Sequence, residues 1–274
     1  MIRAASGNKR TAGLNVAALE GLYRKYNKRC YVSPDPLEFV YMYKSRFDME
    51  IAGLIASSLA FGNVRQIRGS VARVLDVLGD SPAECVREAR GRDLSRALAD
   101  FKHRWITGAD VVSMLGGVRA ALKEYGSLRD LFYASSGAAD RDVVPATERF
   151  AAYIRGKSDG FRPCLLPSPA SGSACKRLNL FLRWMVRSDA VDPGGWSEVS
   201  PAMLVVPLDT HMYRISKKFV LTTRRTADLM TAREITDGFR RISPEDPVRY
   251  DFALTRLGIL KDDPMEVTLA SLCG

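Results

Sequence analysis

The sequence predicts an all-α protein. Apolar residues recur at three- and four-residue intervals through most of the chain, and no run of alternating residues makes a strand. Gly, Pro and short polar caps divide that pattern into segments of helix length.

Residues 1–13 are polar and basic, with no apolar core, and read as a disordered leader; residues 14–274 are expected to form a single domain. From Val16 the spacing of Leu19, Leu22, Tyr23 and Tyr26 is helical, and the pattern stops before Pro34-Asp35-Pro36. A helix from Pro36 to Tyr43 tolerates Pro36 in its first turn. Asp48 is the expected cap of an apolar helix from Met49 to Phe61, closed by Gly62-Asn63. Val64 to Leu78 repeats the pattern, and Ser81-Pro82 opens another helix. Short helices follow at Leu94–Phe101, Ala109–Tyr125 and Leu128–Tyr133, then a small-residue loop at 134–140 and a helix at Val144–Ile154. The segment 157–174, with three prolines and apolar Phe161, Leu165 and Leu166, reads as a loop or hairpin. Helices are expected at about 174–188, 210–220, 231–242 and 248–259.

Composition narrows the function. Of 274 residues, 41 are Lys or Arg and 31 Asp or Glu, a net charge of +10. Such a surplus favours a polyanionic partner through phosphate attraction and counterion release; a generally basic cytosolic protein is the plainer alternative. The five cysteines, Cys30, Cys85, Cys164, Cys175 and Cys273, are odd in number and form no Cys-x-x-Cys pair. They read as reduced thiols in a cytoplasmic protein, not as a disulfide framework or a cluster site. Two histidines, His103 and His211, leave little for a histidine-built metal centre or a Ser-His-Asp triad. The longest apolar stretch, Ile51 to Phe61, is far short of a membrane span. No cofactor, metal or membrane association is expected, and a monomer is.

Two ionisable residues stand at turn-to-helix junctions. Lys176 lies in Ser171-Gly172-Ser173-Ala174-Cys175-Lys176-Arg177-Leu178-Asn179, and Asp209 in Val206-Pro207-Leu208-Asp209-Thr210-His211-Met212-Tyr213-Arg214-Ile215. On a helix, Lys176, Asn179, Arg183 and Arg187 fall within about 80° of one another, a polar and basic stripe opposite Leu178, Phe181, Leu182, Met185 and Val186. The stripe is either a solvated face or a phosphate-binding one. It contains no acid, and it begins at a Ser171-Gly172-Ser173 turn whose amides could face phosphate. Asp209 is a good N-cap, worth about 0.5–2 kcal/mol. A carboxylate held by helix-end amides is also ionised and immobile, which suits a group that stabilises positive charge on a sugar. His211 faces a groove or plays a structural part. From Arg214 to Arg241 eight basic residues stand against three acids, a local charge of +5. Thr222, Thr223 and Thr226 interleave with Arg224 and Arg225, a composition suited to phosphate contacts.

At these two segments the chain resembles the helix-hairpin-helix DNA glycosylases. Leu208-Asp209-Thr210-His211-Met212-Tyr213-Arg214-Ile215 is similar to their Val-Asp-Thr-His-Val-x-Arg-Ile motif, with Asp, Thr, His and Arg in register. The hairpin departs from the usual Leu-Pro-Gly-Val-Gly, reading Leu165-Leu166-Pro167-Ser168-Pro169-Ala170-Ser171-Gly172-Ser173. Lys176 and Asp209 are 33 positions apart, a longer interval than usual and similar to that of the archaeal 8-oxoguanine glycosylase branch. Ser173-Ala174-Cys175-Lys176-Arg177-Leu178-Asn179 and Pro207-Leu208-Asp209-Thr210-His211 further resemble the bacterial DUF2400 family. That resemblance extends to Asp48-Met49-Glu50-Ile51-Ala52-Gly53 and to 246–254.

The resemblance implies a two-lobed helical fold with its hairpin at about 160–176 and its site between the lobes. It implies double-stranded DNA with a damaged base as partner, and no iron–sulfur cluster, because the cysteine cluster that follows the aspartate in many relatives is absent. The base must leave the stack before its glycosidic bond can be reached. Lys176, as a neutral amine, would attack C1′, displace the base and leave an imine that permits β-elimination; its amine must therefore be depressed by burial and by neighbours such as Arg177 or Arg183. Asp209 would stabilise the cationic sugar. Ser171, Gly172, Ser173, Arg177, Asn179, His211 and Arg214 are candidate DNA contacts, and Arg183 a contact to the flipped base or a phosphate. Gln66 is a candidate reader of the base edge, and Trp184 a stacking platform or a core residue. The expected function is a DNA glycosylase with AP lyase activity on an oxidised purine, 8-oxoguanine foremost. The alternatives are a non-catalytic nucleic-acid-binding protein of this fold and a basic helical protein that assembles with another protein.

Overall fold

The computed structural model describes residues 14–259 and Leu272. Among these, twelve α-helices make the architecture: α1 (Val16–Tyr26), α2 (Arg46–Ser58), α3 (Val64–Leu78), α4 (Pro82–Glu88), α5 (Gly91–Ala97), α6 (Gly108–Tyr125), α7 (Leu128–Ala134), α8 (Val144–Gly156), α9 (Lys176–Val186), α10 (Thr210–Lys218), α11 (Leu229–Arg240) and α12 (Asp251–Ile259). A ribbon of two-residue strands, β1 (Lys102–His103) and β2 (Ile106–Thr107), pairs antiparallel between α5 and α6. The protein is all-α. The leader expected at 1–13 lies outside the described residues. No helix among the described residues is long and apolar enough to cross a membrane.

α2 organises the rest. Ten of its thirteen residues are buried, as expected of a helix apolar on every side. It packs against the 3-10 helix Pro36–Met42 and against α3, α4, α7 and α9. Its two inward acids cap neighbouring helices. Asp48 accepts from the Ala83 amide at 2.8 Å, and Glu50 from the Leu128 amide at 2.8 Å and the Trp196 indole N–H at 3.0 Å. Orphan amides at two helix starts are thereby satisfied inside the core. Asp48 is therefore not the cap of its own helix. α2 starts earlier, after Ser45, which turns Asp48 inward to α4, whose Ser81 makes no side-chain cap bond. Burial pushes the Glu50 carboxyl up to about 7 against the donors that favour its ionised form.

Other boundaries shift for local reasons. Pro36–Met42 is a 3-10 rather than an α-helix, and α11 begins at Leu229 because Asp228 caps it through the Thr231 amide. α6 and α8 meet where α6 has no side chain: a Cβ on Gly117 would lie 2.2 Å from the Ile154 carbonyl oxygen.

α9 lies against α2 through Phe181 and Met185. Its opposite face carries Arg183 and Arg187, both nearly fully buried. Arg183 pairs with Asp192 and with Asp251 at the start of α12; Arg187 pairs with Asp189, Asp192 and Asp246. The two arginines of the stripe read from the sequence thus belong to an internal ion network, its acids supplied by the loop after α9 and by the approach to α12.

Candidate active site

Lys176 is the first residue of α9, half-buried, and its Nζ reaches the Ala60 carbonyl at 3.4 Å. The chain enters that helix through Cys175, held left-handed at φ 46° and ψ 39°, a conformation non-glycine residues seldom adopt. Cys175 is buried, and burial raises its thiol to about 11, so it is no nucleophile. Arg177 donates to the Ser58 carbonyl at 2.8 Å and covers the Phe61 ring at 4.7 Å. Two adjacent basic side chains therefore meet the carbonyl-rich C-terminal end of α2, where helix carbonyls lack partners. Burial lowers the Arg177 guanidinium.

Asp209 is the N-cap of α10 and accepts from the Met212 amide at 2.7 Å. Its approach, Leu204 to Leu208, is buried, which fixes the carboxylate from below.

Lys176 and Asp209 line one cavity of about 270 Å³. Ala60, Val64, Ile67, Leu180 and Pro207 give it apolar walls, and Asp35, Arg183, Asp251 and Arg256 make its polar part. A second hollow of about 500 Å³ is lined by Phe61, Arg177, His211 and Tyr213, and shares Ala60, Ile67, Lys176 and Asp209 with the first. The amine and the carboxylate therefore stand at the threshold between an inner chamber and an outer one. Arg183, Asp251 and Arg256 are at most 3% exposed and belong to the inner chamber alone. Burial raises Asp251, Arg183 pulls it back, and the neighbouring Asp209 charge raises it again.

Several candidates fall elsewhere. Asn179 is buried, its amide donating to the Ala174 carbonyl at 3.0 Å, so it holds the turn before α9 and offers nothing to a nucleic acid. The amides of Ser171 and Gly172 bond to Ser168 and Pro169, closing their own turn, and Ser173 bridges to Asp228. That turn lines a hollow with Lys176 and Arg177, but the Ser171 and Gly172 amides are spent and the Asp228 carboxylate stands beside it. Gln66 is exposed on α3 and lines a separate hollow with Arg73, Lys102 and His103. Trp184 is fully buried and cannot stack on a base. Arg183 is on the cavity, but its pairing with Asp192 and Asp251 removes it from any phosphate. Arg214 is exposed on α10 and lines neither chamber, whereas His211 lines the outer one. In the basic C-terminal stretch, Thr222 donates to Glu234 and Arg224 to Asp228, so part of that composition is internal.

The inner residues missed by sequence reasoning are Asp35, Asp251 and Arg256. Arg256 donates to Asp35 at 2.6 Å, and Asp35 also caps the 3-10 helix at Leu37. A single arginine within an apolar helical stretch was the one available signal. Among the described residues no group of His, Cys, Asp and Glu could hold a metal ion.

A family model described as a protein of unknown function (DUF2400) matches residues 35–260. No curated protein and no solved structure matches the chain.

Proposed function

The chain belongs to the DUF2400 family, and we propose that it is a two-lobed DNA glycosylase with AP lyase activity that excises an oxidised purine, 8-oxoguanine foremost, through an imine on Lys176. The observation that carries the reading is the shared position of Lys176 and Asp209 on the wall of one cavity, each at the start of a helix. The inner chamber has room for one flipped base, and the outer chamber leaves its sugar beside the amine. In the first step the Lys176 nitrogen bonds C1′ as the C1′–N9 bond breaks, and the base leaves with that electron pair and takes up a proton. Asp209 opposes the positive charge on the sugar and accepts a proton from the amine. Ring opening gives the imine, which acidifies C2′–H so that the 3′ phosphate leaves by β-elimination. Arg177 and His211 on the outer hollow, together with a net charge of +10, suit a duplex DNA backbone.

The test is borohydride reduction with duplex containing 8-oxoguanine. The wild-type protein is expected to form a covalent adduct, and Lys176→Gln none. Absence of an adduct on every lesion and on abasic DNA overturns the reading; salt-sensitive binding unchanged by Lys176→Gln would then indicate the non-catalytic binder.

A further inference from the structure

Ser70 on α3 and His103 on β1 are 33 positions apart in the chain, yet the hydroxyl Oγ lies 2.9 Å from the imidazole Nδ1. The other ring nitrogen, Nε2, is 3.0 Å from the Phe61 carbonyl oxygen. A carbonyl only accepts, so Nε2 carries the hydrogen. Burial holds the imidazole below its ordinary value against the pull of that carbonyl, and the Arg104 charge acts in the same sense as burial. The ring is therefore neutral near neutral pH, Nδ1 keeps its lone pair, and the Ser70 hydroxyl donates to it. A hydroxyl on a base that a third group orients is the arrangement of an activated nucleophile. Here a main-chain carbonyl stands where a carboxylate would. It comes shortly after α2, and the Leu59 carbonyl also favours the charged ring. The partial negative charge of that helix end suits an imidazolium formed during reaction.

The pair lines a hollow of about 450 Å³ that shares no lining residue with the two chambers beside Lys176. Ser70 is half-buried there, and a Cβ built on the adjacent Gly69 meets nothing within 4 Å, so the approach is open. Arg73, Lys102 and Arg104 give the hollow three cations against the single acid Asp100, which suits a negatively charged substrate. Arg73 is anchored through Nη2 to Asp100 and the Ala97 carbonyl, which leaves Nε and Nη1 for an oxyanion. Arg104 takes the first place of the two-residue turn between β1 and β2 at φ 55°, a position that usually goes to Gly, Asn or Asp. Backbone strain of this kind is kept where function uses it.

We propose that Ser70 and His103 form a reactive centre separate from Lys176, which cleaves an anionic carboxylic ester or thioester through an acyl group carried on Ser70. Ser70 Oγ bonds the carbonyl carbon, its proton passes to His103 Nδ1, and the carbonyl oxygen takes the negative charge that Arg73 opposes. The C–O or C–S bond to the leaving group then breaks, and the leaving group takes the proton from Nδ1. Water repeats both steps, which releases the acid and restores the hydroxyl.

The test is labelling with a fluorophosphonate, which bonds a serine whose proton a base removes and loses fluoride. The wild-type protein is expected to be labelled on Ser70, located by peptide mass spectrometry, and Ser70→Ala to stay unlabelled. His103→Gln keeps an N–H for the Phe61 carbonyl and supplies no base, so labelling should slow roughly 100-fold or more. The wild-type protein should also hydrolyse p-nitrophenyl hemisuccinate about 10-fold faster than neutral p-nitrophenyl acetate, each corrected for spontaneous hydrolysis. Arg104→Gly, which removes a cation and relaxes the turn, should narrow that preference. An unlabelled wild-type protein, a label on another residue, or His103→Gln labelled at the wild-type rate overturns the proposal. Equal rates on the two esters overturn the anionic substrate class. Should His103→Gln fail to fold, ester hydrolysis by wild type and Ser70→Ala decides, and equal rates overturn the proposal.

Discussion

Arg177 donates to the carbonyl of Ser58 at 2.8 Å, so the residue after Lys176 is tied to the last residue of α2. The start of α9 is anchored to the most buried helix in the fold. Arg177→Met leaves that carbonyl without its partner and is expected to cost about 1–3 kcal/mol, the loss typical of a hydrogen bond to a charged group. At about 2–4 °C per kcal/mol for a chain of this size, thermal denaturation resolves it. An unchanged midpoint refutes the anchor.

Asp209 is both a helix cap and the proposed counter-charge, and two substitutions separate these parts. Asp209→Asn keeps a capping oxygen and removes the charge, so stability should stay near wild type while the rate of adduct formation falls about 100-fold or more. Asp209→Ala should lose the rate and also about 1 kcal/mol of stability. Equal melting of the two variants would show that the Met212 bond contributes nothing.

Two adjacent glycines in α6 predict opposite outcomes. A Cβ at Gly116 meets nothing within 4 Å, whereas one at Gly117 falls 2.2 Å from a backbone oxygen of α8. Gly116→Ala is expected to stabilise by about 0.5–1 kcal/mol, and Gly117→Ala to destabilise by about 1–3 kcal/mol or more. Urea unfolding of the pair measures both.

The Glu50 carboxyl rises from an ordinary value of 4.5 to about 7 on folding. The folded state thus holds this proton more tightly than the unfolded state. Its contribution is fully present below pH 4.5 and is lost as the pH rises to about 7. The loss is about 3 kcal/mol at 1.36 kcal/mol per pH unit. Glu50→Gln, neutral throughout, should lack this slope, so the difference in unfolding free energy between variant and wild type should move by about that amount in the variant's favour over this window. Parallel stability curves would sink the assignment.

Most helices were legible because their apolar spacing reports a buried face wherever that face goes. The junction residues Lys176 and Asp209 were legible as helix-end groups because Gly, Ser and Pro punctuate both approaches. The polar face of α9 was not. A helical wheel shows that Asn179, Arg183 and Arg187 share a side, but not that Asp192, Asp246 and Asp251 will fold onto it from up to 68 positions away. Asp48 misled for a related reason: a carboxylate in the first turn of a helix can cap that helix or one 35 positions later. Gln66 misled because adjacency to a helix start does not fix which wall of that helix a side chain reaches.

The inner chamber draws its walls from Pro34 through Arg256, almost the full span of the described chain. A nascent polypeptide therefore has no complete inner chamber until α12 has emerged and Arg256 has met Asp35.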